Sequence, residues 1–257
     1  MIRSRAADAP RWNGVPLEAV LLDLDGTLVD SAADVASVLN LTLAEFDFAS
    51  IDPADVRQMI GGGAQVLMER ALRHLRREAG PVLLQSLIVR FLSHYDTLVR
   101  YDASKTCRYE GVSEGLSGLQ SMGLKLAVVT NKHQRIATQL LQRMHLAGWI
   151  DVVIGRDNCE RGKPDPQPLL LACQALYVEP GRTLMVGDSQ NDVSAARAAG
   201  IPVVCVPYGY NEGGEPRALP CDAYVETLAD LPGLLRRGGG RPARVASVFP
   251  HSTQPTA

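Results

Sequence analysis

A chain of 257 residues with 46% hydrophobic content can bury one sizeable core and carry a smaller unit beside it. A formal net charge of -2 creates no global field favouring nucleic acid, and an aromatic content of 5% leaves little for a base-stacking surface. No stretch approaches the roughly 20 apolar residues of a membrane span, which excludes a membrane partner of that kind.

In chain order, the first segment, Met1 to Pro16, mixes Arg3, Arg5 and Arg11 with Asp8 and has no continuous apolar run, so it does not read as a signal peptide. Five cysteines, Cys107, Cys159, Cys173, Cys205 and Cys221, include no CxxC pair and read as reduced thiols of a soluble cytoplasmic protein. No motif specifies an oligomeric state.

The next stretch, LLDLDGTLVDS from Leu21 to Ser31, is a buried-looking apolar run ending in two carboxylates one residue apart. Leaving two anions at such a tip is costly unless a cation sits there, and a bound Mg²⁺ is the expected one. Side chains alternate along a strand, so Asp23 and Asp25 can share one side of the sheet's carboxyl edge, where open α/β sheets bind ligands. One can serve as metal ligand and nucleophile while the other handles a proton. Gly26 lets the backbone turn sharply, and Thr27 can tie that turn down.

From Ser31 to about Cys107 the pattern is helical. Val35, Val38, Leu39, Thr42 and Phe46 share one face, and Val66, Leu67, Arg70, Ala71 and Leu75 share another. Breaks fall at Asp52-Pro53, Gly61-Gly62-Gly63 and Gly80-Pro81. This predicts an inserted helical cap over residues 31–107, with the core formed by 1–30 and 108–235.

Between Leu124 and Val225, short β-branched runs (LKLAVVT, VVI, TLMVG, PVVCV, AYV) alternate with helical stretches such as that carrying Ile136, Leu140, Leu141 and Met144. These imply βα units with right-handed crossovers: an α/β fold, a doubly wound parallel sheet of Rossmann-like type. Residues 236–257, rich in glycine and proline, read as a disordered tail.

Three later motifs fall at the carboxyl ends of these strands: VVTNK (Val128 to Lys132), GKPDP (Gly162 to Pro166) and GDSQND (Gly187 to Asp192). Together they supply a hydroxyl, an amide, a cation and further carboxylates. With DxDGT, in this order, they resemble the haloacid dehalogenase superfamily with a helical cap after the first strand, over about Val20 to Leu231. The resemblance implies that Asp23 attacks phosphorus and becomes an aspartyl-phosphate, while Asp25 protonates the leaving oxygen and later activates water. It implies Mg²⁺ held by the Asp23 carboxylate, the Asp25 main-chain carbonyl and the Asp188 carboxylate. Phosphoryl oxygens would be held by the Thr130 hydroxyl and the Asn131 N–H, with Lys163 neutralising nucleophile and phosphate. Asp192 can orient Lys163, reach the metal through water or favour a helix N-terminus; an indirect role behind the metal is the favoured one.

Dehalogenases of the superfamily lack the second aspartate and its transport ATPases carry threonine there, so Asp25 implies a phosphatase or mutase. Phosphonatases use a cap lysine, yet Lys105 is the first lysine after Ser31, and related hexose-phosphate mutases carry a cap histidine where this chain has Val35. None of the five histidines, His74, His94, His133, His145 and His251, falls inside a catalytic motif. IGGGAQVLMERAL (Ile60 to Leu72), VTNK and VPYGYNEGGEP (Val206 to Pro216) are similar to bacterial phosphoglycolate phosphatases, which implies hydrolysis of a small phosphorylated metabolite, 2-phosphoglycolate. Cap groups expected at its carboxylate are Arg70 and the N–H groups of Gly61 to Gly63, Gly62 at their centre. The Tyr208-Gly209-Tyr210-Asn211 loop either lines the opening or packs. An amino-sugar phosphate or pyrophosphate remains an alternative substrate. A catalytically idle binding module is the non-enzymatic alternative, against which the presence of Asp23, Asp25, Lys163 and Asp188 speaks.

Overall fold

The computed structural model describes residues 10–101 and 104–238. The chain enters through a small antiparallel ribbon, β1 (Arg11–Trp12) and β2 (Val15–Pro16), which delivers Trp12 to the core. It then forms β3 (Ala19–Leu22), four residues buried on both faces. A tight turn leads to β4 (Val29–Asp30) and four helices: α1 (Ala32–Glu45), α2 (Pro53–Met59), α3 (Gly63–His74) and α4 (Pro81–Arg100). The chain returns along β5 (Cys107–Arg108), antiparallel to β4, so its outward and inward passages run side by side. Two residues per strand carry too little pattern to be read from sequence. Asp34, buried in the first turn of α1, fixes the return by accepting hydrogen bonds from Lys105 N (2.7 Å) and Thr106 N (3.1 Å).

The remainder is α5 (Val112–Ser121), β6 (Lys125–Val129), α6 (Gln134–Arg143), β7 (Val152–Ile154), α7 (Gln167–Leu176), β8 (Thr183–Gly187), α8 (Gln190–Ala199), β9 (Val203–Cys205), β10 (Ala223–Tyr224) and α9 (Leu231–Arg236). Six strands form one parallel sheet in the order β10-β9-β8-β3-β6-β7. The order reverses at β3, which β6 and β8 flank, so the carboxyl ends of these three strands converge where such sheets bind ligands.

Alternation along the strands sorts side chains to two faces. Val20, Leu22, Val128 and Val186 meet Leu116 of α5 and Leu235 of α9, while Leu21, Ala127 and Met185 meet Leu169 of α7 and Ala196 of α8. Each fully buried aliphatic side chain contributes about 1.5–3 kcal/mol, and both faces must be covered for β3 to sit centrally.

A third apolar cluster joins the four helices through Val35, Leu39, Val56, Met68, Leu87 and Phe91, and extends to Ile136 and Leu140 of α6 and to Tyr210. The helical unit is thus packed against the end of the sheet. On α3 the buried face is Leu67, Met68, Ala71 and Leu72; Val66 and Arg70, placed by sequence spacing on the same face, sit at its rim. Of the segment expected to be a disordered tail, Arg236 ends α9 and 239–257 lie outside the described residues. Among the described residues no helix is long and apolar enough to cross a membrane.

Candidate active site

Asp23 directly follows β3, its N–H held by Val186 O of β8 (2.9 Å) and its Oδ1 accepting from Leu24 N (2.7 Å). The Lys163 ammonium touches Asp23 Oδ1 (2.8 Å), Asp192 Oδ1 (2.7 Å) and Val129 O (2.7 Å), so all three of its protons are placed. Burial alone would lower the Lys163 pKa, but Asp192 and Asp23 beside it raise it and keep it charged.

Asp192 is fully buried and its second oxygen accepts from Asp188 N (3.2 Å), Ser189 N (3.1 Å) and Ser189 Oγ (2.7 Å). It therefore both caps α8 and orients Lys163, two of the roles open to it in the sequence. Asp188 accepts from Thr27 Oγ1 (2.9 Å) and from Tyr210 N (2.7 Å). Two glycines make this arrangement possible. Gly26, at φ +88°, and Gly209 both approach so closely that a Cβ at either would overlap the Asp188 carboxylate.

Oxygen atoms of Asp23, Asp188 and Asp192 lie within 4.8 Å of one another. Burial, reinforced by Asp192 and Asp188, holds Asp23 well above the usual carboxylate range despite Lys163. Burial and Asp192 likewise push Asp188 up to about 7. Three buried acids face one ammonium, which leaves a deficit of positive charge lined by hard oxygen donors. That is the chemistry a hard divalent cation satisfies.

Asp25 faces a different set. Ser31 Oγ donates to its Oδ1, and Lys132 Nζ lies 3.0 Å from each of its oxygens. The Lys132 ammonium also sits over the Tyr95 ring, 4.4 Å from its centroid. Burial works against its charge, yet Asp25 and Tyr95 raise its pKa. The two aspartates of DxD are thus held by separate lysines.

Thr130 is buried at the end of β6, its Oγ1 accepting from Lys132 N (3.1 Å). Asn131 donates through Nδ2 to Lys163 O (2.9 Å) and to Gly61 O (2.9 Å), tying the sheet edge to the turn between α2 and α3. A cavity of about 60 Å³ lies between them, with Asp23, Asp25, Thr130 and Lys132 on the sheet side and Ile60, Gly61, Gly63, Leu67, Phe91 and Tyr95 on the helical side.

The structure therefore brings together Asp23, Asp25, Thr130, Asn131, Lys163, Asp188 and Asp192. Of the cap candidates, Arg70 and Gly62 lie outside the cavity lining. Arg70 does not line the cavity: its guanidinium bonds Met59 O (3.0 Å) and Glu212 (3.1 Å), because the rim of α3 faces the loop after β9. Gly61 and Gly63 line the cavity, while Gly62 is not among its lining residues and a Cβ there would meet Val66.

Sequence reasoning missed Lys132, Ser31 and Glu212. Lys132 stood inside a quoted motif, and the need of Asp25 for its own counter-charge was the signal that could have found it. His133, set aside in sequence, lines the cavity while its Nδ1 lies 3.2 Å from Asp157. The Tyr208 to Asn211 loop packs rather than opens: Tyr208 donates to Thr27 O (2.9 Å), and Tyr210 Oη donates to Asp30 (2.9 Å) and accepts from Ser31 N (2.8 Å).

The model of the haloacid dehalogenase-like hydrolase family matches residues 20–206 of this chain. The chain belongs to that family. Among curated relatives of this hydrolase, a phosphoglycolate phosphatase of Nitrosospira multiformis is 40% identical over 87% of this chain and 97% of its own length. A plasmid-borne phosphoglycolate phosphatase of Cupriavidus necator is 41% identical over 90% of this chain and 96% of its own. Among solved structures, a predicted phosphoglycolate phosphatase of Haemophilus somnus superposes with a TM-score of 0.77 at 30% identity, covering 85% of this hydrolase and 97% of that chain.

Proposed function

We propose that this hydrolase cleaves a small phosphomonoester through an aspartyl-phosphate on Asp23, and that its substrate is 2-phosphoglycolate, released as glycolate and phosphate. The observation that carries the chemistry is the buried Asp23-Lys163-Asp192-Asp188 cluster at the sheet's switch point, with Asp25 poised on its own lysine at the same strand tip. The substrate reading is supported by the similarity to relatives that bear that name.

Phosphoryl transfer demands positioning and neutralisation more than covalent ingenuity, and the cluster supplies both. Asp23 Oδ forms a bond to phosphorus as the ester P–O bond breaks, and Asp25 passes a proton to the departing alkoxide. Asp25 then takes a proton from water as water oxygen bonds phosphorus and the acyl-phosphate P–O bond breaks, restoring Asp23. Lys163, fixed by Asp192 and Val129 O, keeps Asp23 in place and offsets its charge. Thr130 Oγ1 and Asn131 N–H stand at the end of β6 to receive phosphoryl oxygens. The three-acid cluster fits Mg²⁺, which Asp23, Asp188 and the Asp25 carbonyl would hold; when bound it neutralises charge building on the phosphoryl group.

In this reading 31–107 is a cap that selects the substrate, and 1–30 together with 108–235 is the catalytic core. Five unpaired cysteines accord with a cytoplasmic setting. A screen of phosphorylated metabolites with and without Mg²⁺ tests the proposal. Preferred, Mg²⁺-dependent turnover of 2-phosphoglycolate is expected, preference for an amino-sugar phosphate or pyrophosphate would replace the substrate, and no turnover of any ester would leave a binding module.

A further inference from the structure

The cavity is small. About 60 Å³ is a narrow space, so the ester that fits against Asp23 as the helices now sit is a small one. Its helical wall is apolar, formed by Ile60, Leu67 and Phe91, and apolar walls strengthen any ion pair made within them.

Two basic side chains line it. His133 is 38% exposed and turned to Asp157. Lys132 is 9% exposed, with Asp25 as its acidic partner. An ammonium has three N–H donors; the two Asp25 oxygens, each at 3.0 Å, take two of them, and Tyr95 stands beside the third.

Tyr95 is the second, independent observation. Its side chain is 1% exposed and lines the same cavity, yet its hydroxyl completes no hydrogen bond. Native structures seldom leave a buried hydroxyl unsatisfied, and one on a residue of a ligand cavity's wall, beside an ammonium, is explained by an absent acceptor.

We propose that Lys132 and the Tyr95 hydroxyl are the receptor that reads the substrate's carboxylate. The assignment rests on the phosphoester reading above. One oxygen of a carboxylate takes the third N–H of Lys132, the one beside Tyr95, and the other takes the O–H of Tyr95, which matches a singly charged planar group. A second phosphate would bring more charge than this one ammonium, already shared with Asp25, can answer. The arriving carboxylate also competes with Asp25 for Lys132. Arg70, bonded to Glu212 and Met59 O outside the cavity, has no part in this recognition.

The experiment compares kcat/KM for 2-phosphoglycolate with that for ethyl phosphate, a two-carbon ester without a carboxylate, in the unaltered enzyme, Tyr95→Phe and Lys132→Met, with melting temperatures alongside. Tyr95→Phe keeps the ring under the ammonium and removes only the donor. It should cost 2-phosphoglycolate roughly tenfold to a hundredfold and leave ethyl phosphate within about threefold, the worth of one hydrogen bond to a charged group. Lys132→Met should slow both esters, since Asp25 loses its partner, but should narrow the ratio between them at least about tenfold. If the unaltered enzyme prefers 2-phosphoglycolate and neither variant narrows the ratio, Lys132 only holds Asp25 and the receptor assignment is overturned while the function stands. If the unaltered enzyme shows no such preference, the substrate reading fails and the receptor falls with it. Should Lys132→Met not fold, Tyr95→Phe alone decides.

Discussion

Replacing Gly26 by alanine tests the joint between the nucleophile turn and Asp188 without replacing a charged residue. The residue sits at φ +88°, where an L side chain costs about 1–2 kcal/mol. Its Cβ would also overlap the Asp188 carboxylate, which is held by Thr27 Oγ1 at 2.9 Å and Tyr210 N at 2.7 Å. Rotating that carboxylate away forfeits at least one hydrogen bond to a charged group, about 1.5–3 kcal/mol. The sum is about 2.5–5 kcal/mol, which for a chain of this size lowers the melting temperature by roughly 5–20 °C. Turnover should fall at least about a hundredfold, because Asp188 leaves its place beside Asp23. Circular-dichroism melting and p-nitrophenyl phosphate hydrolysis read the two effects, with Gly181→Ala as control, since a Cβ there meets nothing within 4 Å. A melting temperature within about 2 °C of the parent, with turnover within about threefold, would refute the reasoning.

Asp23→Asn should abolish turnover yet fold and melt no lower than the parent, because it removes one of three crowded acids while keeping an acceptor for Lys163 and Leu24 N; retained turnover within about tenfold sinks the nucleophile assignment. Without added metal, stability should rise as pH falls through 7: Asp188 holds its proton up to about 7 when folded but only to 3.8 when unfolded, so the folded state binds the extra proton between them. From pH 8 to 6 that gain is about 1.4 kcal/mol, or roughly 3–6 °C, read as parent minus Asp188→Asn in melting scans, and saturating Mg²⁺ should erase it. Arg70→Met should affect 2-phosphoglycolate and p-nitrophenyl phosphate equally, by less than about tenfold, since its partners are Glu212 and Met59 O; a selective loss for the carboxylate substrate would show that Arg70 reads it after all.

The sheet and its acids were legible because they obey local rules. Four-residue AVLL ending at Asp23, the β-branched runs of β6, β8 and β9, and the glycine at 26 each state their own conformation. What escaped was set by distant chain segments. Tyr210 N reaches Asp188 across 22 residues of sequence and Tyr210 Oη reaches Asp30 across 180, contacts no periodicity encodes. Arg70 failed as a cavity residue for the same reason: helical spacing gave it a face, while the loop carrying Glu212 determined what that face meets. Lys132 was visible but unassigned, because one strand tip offered two acids and only the fold shows that each is served by a different lysine.

The proposed mechanism turns on Asp23 as the phosphoryl acceptor. Rapid acid quench of the enzyme turning over radiolabelled 2-phosphoglycolate, followed by peptide mapping, measures it directly. Label on the peptide carrying Asp23, released by hydroxylamine and missing from Asp23→Asn, is the result predicted; label on another residue, or equal label in Asp23→Asn, would contradict it.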